Sequence, residues 1–312
     1  METQPAVKVI FSDQCLGYEG PGHPESPERV RLCAELLRRK RFKFIQPFPC
    51  REEDILLAHS KTLLDRVKNN QFSDPDTPNL PGIFEYACLS AGAAVKAQEV
   101  ALFEKVKALS LMRPPGHHAG YFDLGGFCYF NNIAIAIKKA LVMVKKAAII
   151  DLDCHHGNGT QEIFAGESRV LFVSLHQSPL YPGTGLHSTG NLLNYPLDPG
   201  TDEKTYLAIL RESLKKIRDF QPEVLGISLG FDTYRKDPIT NLSLEIFSYR
   251  KIGLMIAELP IQSFAVLEGG YHPAIAECLY QFILGWGRVP GGVIPGVHTV
   301  CPLRVKNGYN VV

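Results

Sequence analysis

The sequence predicts an α/β protein, a mainly parallel sheet covered by helices on both faces, from three observations. First, short runs rich in Val, Ile and Leu recur at residues 7–11, 109–111, 147–150, 170–175, 224–229 and 264–267, and read as buried strands. Second, segments of helical periodicity lie between them, at residues 27–38, 82–106, 131–144, 203–220, 245–258 and 274–284. Alternation of this kind calls for crossover connections, and these favour parallel pairing. Third, a polar cluster follows strand after strand. Residues 71–81 and 285–295 are loop-like, yet no linker, repeat or low-complexity tract divides the chain, so one domain over residues 1–312 is expected.

Composition narrows the class. Apolar residues make up 45% and charged residues 21%, which fits a globular body able to bury a large core. Lys plus Arg (33) almost balance Asp plus Glu (32), and no basic run offers a footprint for nucleic acid or an anionic membrane. No stretch of 18 apolar residues is present and residues 1–13 lack a signal-peptide core, so neither membrane spanning nor secretion is expected. Eight cysteines without a C-x-x-C pair fit the reducing cytoplasm. A homo-oligomer is left open.

In an open parallel sheet the ligand crevice lies beyond the carboxyl ends of the strands. Strand 109–111 leads into Arg113-Pro114-Pro115-Gly116-His117-His118, and strand 147–150 into Asp151, Asp153, His155, His156 and Asn158. Strand 170–175 ends at His176, strand 224–229 at Gly230-Phe231-Asp232, and strand 264–267 at Glu268-Gly269-Gly270-Tyr271. Five strands would thus deliver chemistry to one rim.

Asp153 and His155 are two apart, so on an extended strand end both side chains face the same way and can grip one ion. A carboxylate with an imidazole suits zinc, and Asp232 would complete three ligands with a position left for water. An isolated Asp-x-His is also a common polar turn. Here, Asp151 and Asp153 together at the end of a buried strand would be costly without a cation. The backbone of Pro114-Pro115-Gly116 can hold His117 and His118 into a cleft, one as general base and the other keeping charge near a leaving amine. Asp151 and Asn158 are candidate partners for their ring nitrogens. Tyr271, after two glycines, can donate its phenol to an oxyanion. Gly126 lets Phe127 form one aromatic wall near the reacting atoms, and Tyr181 can form the other.

With these residues in place, residues 113–132, 151–164, 174–185, 228–238 and 267–271, with His23 to Arg29 near the start, resemble the zinc-dependent histone deacetylase and acetylpolyamine amidohydrolase superfamily. The resemblance runs in order along nearly the whole chain. It implies the arginase-deacetylase fold, one domain around an eight-stranded parallel sheet. It makes Asp153, His155 and Asp232 the zinc ligands, with iron(II) as a possible occupant, His117 and His118 the tandem catalytic histidines, and Tyr271 the carbonyl-polarising tyrosine. It also implies potassium at Asp151, Ser174 and Leu175 with main-chain oxygens of Asp153 and His155, and a second, peripheral monovalent site at Phe164, Glu167, Val170 and Asn191. The implied reaction is hydrolysis of an acetylated amine to acetate and free amine. His118 would take the proton from water, and His118 or His117 would return one to the amine.

Two other classes fit the sequence less well. The arginase relatives hold two manganese ions through further Asp-x-His-x-Asp clusters, but position 157, where a third ligand would follow, is Gly157. A non-catalytic acetyl-lysine binder would have no use for His117, His118 and Tyr271 together. For substrate, Asn158, residues 228–239 and Asn194-Tyr195-Pro196 look closer to the polyamine enzymes than to class I histone deacetylases. Glu19, Asp74 and Asp76, placed by the resemblance near the entrance, can attract the extra ammonium groups of a polyamine. Asp76 aligns with a rim aspartate that holds peptide backbone in class I enzymes, so a protein acetyl-lysine substrate is the alternative.

Overall fold

A computed structural model of the chain describes residues 6–288. Its centre is one eight-stranded parallel sheet of strands β1 (Val7–Ile10), β2 (Lys43–Ile45), β3 (Lys107–Ser110), β4 (Ala147–Asp151), β5 (Val170–Gln177), β6 (Leu192–Leu197), β7 (Val224–Leu229) and β8 (Gln262–Leu267). The spatial order is β2-β1-β3-β8-β7-β4-β5-β6, and every pairing is parallel. The interior strands β4, β5 and β7 are buried along their whole length, as a sheet covered on both faces requires.

The helices are α1 (Pro27–Arg39), α2 (Glu52–Ile55), α3 (Lys61–Lys68), α4 (Ile83–Glu99), α5 (Asn132–Ala140), α6 (Asn158–Phe164), α7 (Glu203–Phe220), α8 (Ile246–Ala257) and α9 (Ile275–Trp286). Local chemistry fixes several starts. The side chains of Ser60, Asn131 and Asp202 accept the otherwise orphaned N–H groups of Leu63, Ala134 and Thr205. Among the described residues, no helix is long and apolar enough to cross a membrane.

The six strands predicted from apolar runs are all present, and the structure adds β2 and β6 at the two sheet edges. Both edges escape the run criterion for a physical reason. Lys43 is exposed with Phe44 and Ile45 half-buried, and β6 mixes Asn194, Tyr195 and Pro196 with its leucines. The predicted helix 82–106 is α4 followed by a wider π turn, Val100–Glu104, and ends at Lys105, which adopts a left-handed conformation. The predicted helix 131–144 is shorter, ending at Ala140. Of the predicted loop 285–295, Gly285 and Trp286 close α9, and the part beyond residue 288 lies outside the described residues, as does Cys301.

Candidate active site

The strands β3, β8, β7, β4 and β5 are contiguous in the sheet, so the polar clusters that follow them meet at its carboxyl edge. Residues after β4 turn there under the control of their own side chains. Asp153 Oδ1 accepts the His155 N–H at 2.9 Å, and Asp232 Oδ1 accepts the Cys154 N–H at 2.8 Å. The Gly269 N–H after β8 donates to Asp153 Oδ2 at 2.7 Å, tying a third strand to the same carboxylate. His155 then projects its Nδ1 between the two acids, 2.8 Å from Asp232 Oδ2 and 3.1 Å from Asp153 Oδ1.

Asp153, His155 and Asp232 are all buried, and each offers a ligand atom within 4.8 Å of the others. Two carboxylates at this depth demand positive charge. Burial opposes a charge on His155, but its hydrogen bonds to Asp153 and Asp232 outweigh that and push it up to about 10. Burial and the neighbouring Asp153 charge push Asp232 up to about 7. Such a donor set, one nitrogen and two carboxylates that repel each other unless a cation stands between them, fits a divalent metal ion. A side chain at Gly157 could not join it: a Cβ there would lie 2.1 Å from Asp151 Oδ2.

The two histidines after β3 lie with ring centroids 4.0 Å apart and planes tilted by 46°, and their surroundings differ. His117 Nδ1–H donates to Asp151 Oδ2 at 3.0 Å. Burial works against a charge on His117, yet the Asp151 and Asp153 carboxylates hold it up at about 10. His118 Nδ1–H donates to the Asn158 carbonyl oxygen at 2.7 Å, a neutral partner, which leaves the lone pair on Nε2. Burial and the neighbouring His117 and His155 keep His118 well below the usual histidine range, hence uncharged at neutral pH. Gly126, at φ 54°, is required beside it, because a Cβ would come within 2.4 Å of the His118 ring.

Tyr271 presents its ring edge-on to Phe127 at 5.8 Å, under the Arg29 guanidinium at 4.8 Å. Its N–H donates to Asp237 Oδ2 at 2.7 Å. Burial raises the phenol well above its ordinary value against the pull of Arg29, so it stays a donor. Tyr181 faces His118 edge-on at 5.0 Å and remains 46% exposed, as a wall at an entrance would. Of the acids expected at the rim, Glu19 and Asp76 are exposed. Asp74 stands closest to the walls: a Cβ on Gly125 would meet both Tyr181 Oη and Asp74 Oδ2 within 3.7 Å.

Three of the residues expected around potassium are neighbours on two adjacent strands. Asp151 pairs with Ser174 across β4 and β5, Leu175 follows in β5, and Ser174 Oγ is 2.9 Å from His176 Nδ1. At the sheet edge, the carbonyls of Phe164, Glu167 and Val170 converge on the side chain of Asn191.

Several supporting residues had no assigned role in the sequence. Glu268 accepts the N–H groups of Gly116 (2.7 Å) and His117 (3.2 Å) and the Ser228 hydroxyl (3.0 Å), holding the histidine turn against β7. Arg113 grips both oxygens of Glu25 at 2.7 Å, and Arg29 pairs with the same carboxylate at 3.0 Å and donates to the Gly270 carbonyl at 2.7 Å. Thr77 Oγ1 accepts the N–H of Phe127, a bulky residue at φ 69°. Their signal was the dense polar run 23–29 and the charged strand ends, but their partners lie up to 241 residues away.

A carboxylate-rich metal cradle with a neutral histidine beside it, at the carboxyl edge of a parallel sheet, is the equipment of a hydrolase. The Histone deacetylase domain model matches residues 23–285, and the chain belongs to that family, a family of deacetylases. It is 37% identical over 290 residues to a "Probable deacetylase" of Archaeoglobus fulgidus, covering 84% of this chain and 80% of that one. To the "Acetylpolyamine amidohydrolase" of Mycoplana ramosa it is 39% identical over 208 residues, 63% of this chain and 61% of the relative. Among solved structures, the HDA15 HD domain superposes with a TM-score of 0.83 at 30% identity, covering 88% of this chain and 89% of the other.

Proposed function

We propose that the chain is a zinc-dependent deacetylase of acetylated amines and that it favours small cationic amides such as acetylpolyamines. The observation that carries the chemistry is the buried Asp153, His155 and Asp232 cluster with the uncharged His118 alongside. Zinc, when bound by these three residues, supplies a Lewis acid for the amide carbonyl and makes water a nucleophile near neutral pH.

The chain's own residues carry the remaining work. His118 Nε2 takes a proton from the attacking water, since Nδ1–H is committed to Asn158. His117, held charged by Asp151, keeps positive charge beside the reacting carbon. The Tyr271 hydroxyl donates to the oxygen that becomes negative as the carbonyl carbon turns tetrahedral. The C–N bond then breaks, with the nitrogen taking its proton from His118 or His117, and acetate and a free amine leave. Phe127 and Tyr181 flank the methylene stem. A potassium ion held by Asp151, Ser174 and Leu175, with main-chain oxygens of Asp153 and His155, would stiffen the floor behind the metal.

The substrate reading rests on the rim. Asp74 lies beside Gly125 and Tyr181, Asp76 and Glu19 are exposed, and the resemblance sets all three near the mouth, where a polyamine would present further ammonium groups to them. A protein acetyl-lysine substrate is the second reading, favoured by Asp76, which is free on the surface to accept a peptide N–H.

Elemental analysis combined with acetate release tests the chemistry. The protein is expected to carry about one transition metal per chain, to release acetate from an acetylated amine, and to lose both properties in Asp232→Ala. Absence of metal, or metal content unchanged in Asp232→Ala, contradicts the ligand assignment.

A further inference from the structure

The turn joining α6 to β5 directs three main-chain carbonyls at one point. Phe164 ends α6, and its carbonyl carries part of the negative end of the helix. Glu167 lies in the turn and Val170 opens β5. Carbonyls aimed together in this way repel one another unless a donor or a cation stands between them. In the wider family this is the place of a peripheral monovalent cation, by the resemblance of these residues. Here the point is filled from within the chain. The Asn191 side-chain nitrogen donates to the Phe164 and Val170 carbonyls at 2.8 Å each and reaches the Glu167 carbonyl at 3.3 Å. The other end of the same carboxamide is fixed as well, with Asn191 Oδ1 accepting the Gly166 N–H at 3.1 Å.

We propose that Asn191 replaces the peripheral monovalent cation in this chain, so that its amide group does the work of the ion. An amide has two N–H groups, which match the two short contacts, and the third, longer contact shares one of them. Its partial positive charge meets the carbonyls without the desolvation that a bare ion requires. A potassium ion at the same point would have to displace this nitrogen and break its bonds to the three carbonyls. The turn is therefore set by β6, where Asn191 immediately precedes Leu192, and needs no salt. The consequence reaches the catalytic end of the same helix: α6 begins with Asn158, the partner of His118, so its far end is held by hydrogen bonds from a side chain of the protein instead of by a dissociable ion.

Diffraction from crystals grown with thallium(I) in place of potassium reads this directly on the unaltered protein. The expected result is no anomalous peak among the Phe164, Glu167 and Val170 carbonyls, and the Asn191 amide bonded to all three. A peak there, with the Asn191 side chain turned away, overturns the proposal. A second measurement follows Tm in choline chloride as potassium chloride is added. Asn191→Ala removes the donor and is expected to gain a potassium-dependent rise on the order of 2 °C beyond that of the unaltered protein, because the ion can then take the amide's place. An equal response in both proteins contradicts the replacement. Should Asn191→Ala fail to fold, Asn191→Ser, which keeps a shorter donor, is compared in the same titration.

Discussion

The floor of the site and its rim are built on different principles. On the floor, Asp151, Asp153, His155, Asp232, His117 and His118 are all buried, and each is held by hydrogen bonds to groups on other strands or turns. Of the residues that the resemblance sets at the rim, Glu19 and Asp76 are exposed and Tyr181 is nearly half exposed. Among the described residues, the one side-chain bond of these acids joins Asp74 to the Asp76 N–H at 3.0 Å. On the function proposed above, a floor so constrained carries the hydrolysis of the amide. A rim so loosely tied is where related proteins with the same floor can differ in substrate. Substitutions should therefore divide: those on the floor alter turnover, and those on the rim alter which amine is chosen.

The largest effect is expected at Tyr271. Replacing it with phenylalanine should cut kcat by roughly a hundredfold or more, the worth of one oxyanion donor, while metal content stays unchanged. Near-normal turnover would take Tyr271 out of the floor. His118→Ala should be at least as damaging as His117→Ala, because His118 has the free Nε2 and the neutral partner; steady-state kinetics showing the reverse order would exchange their roles.

A smaller effect concerns stability beneath the floor. His59 is buried, donates from Nδ1 to the Gly120 carbonyl at 2.8 Å and accepts the Asn131 N–H at Nε2 at 2.8 Å. Burial drops it to about 4, although the Gly120 carbonyl pulls the other way. The unfolded chain protonates this histidine near its ordinary value of about 6.5, so between that pH and 4 the unfolded state holds more protons. The stability that neutral His59 contributes is complete above about pH 6.5 and declines as pH falls toward 4, by on the order of 3 kcal/mol over the full range. Urea unfolding at pH 7 and pH 5 should show this decline, and His59→Gln should flatten the slope by one proton. The smallest expected change is at the rim. Asp74→Asn should raise KM for an acetylpolyamine a few-fold, about 1 kcal/mol for one half-buried charge contact, with kcat nearly unchanged; a fall in kcat alone would move Asp74 from rim to floor.

Sequence and structure agree best where local pattern and burial coincide. β4, β5 and β7 were legible because strands covered on both faces are continuous apolar runs, and the residues beyond them stood out as charge where none should be cheap. The short α6 carries no helical pattern in the sequence, since it opens on Asn158-Gly159 and spans only seven residues. Glu268, Thr77 and Asn191 were legible as polar residues, but Thr77 and Glu268 received no role, and the place of Asn191 came from resemblance alone. Their work depends on partners 21 to 152 residues away, and no spacing along the chain encodes such contacts.

The most direct test of the account compares kcat/KM for N-acetylputrescine, N8-acetylspermidine and an acetyl-lysine peptide on the metal-loaded protein. The floor predicts acetate release from all three, and the acidic rim predicts that the acetylpolyamines are preferred, with the advantage reduced in Glu19→Gln and Asp76→Asn. A peptide preferred by tenfold or more, a difference of about 1.4 kcal/mol in transition-state binding, would contradict the polyamine reading and make the chain a protein deacetylase.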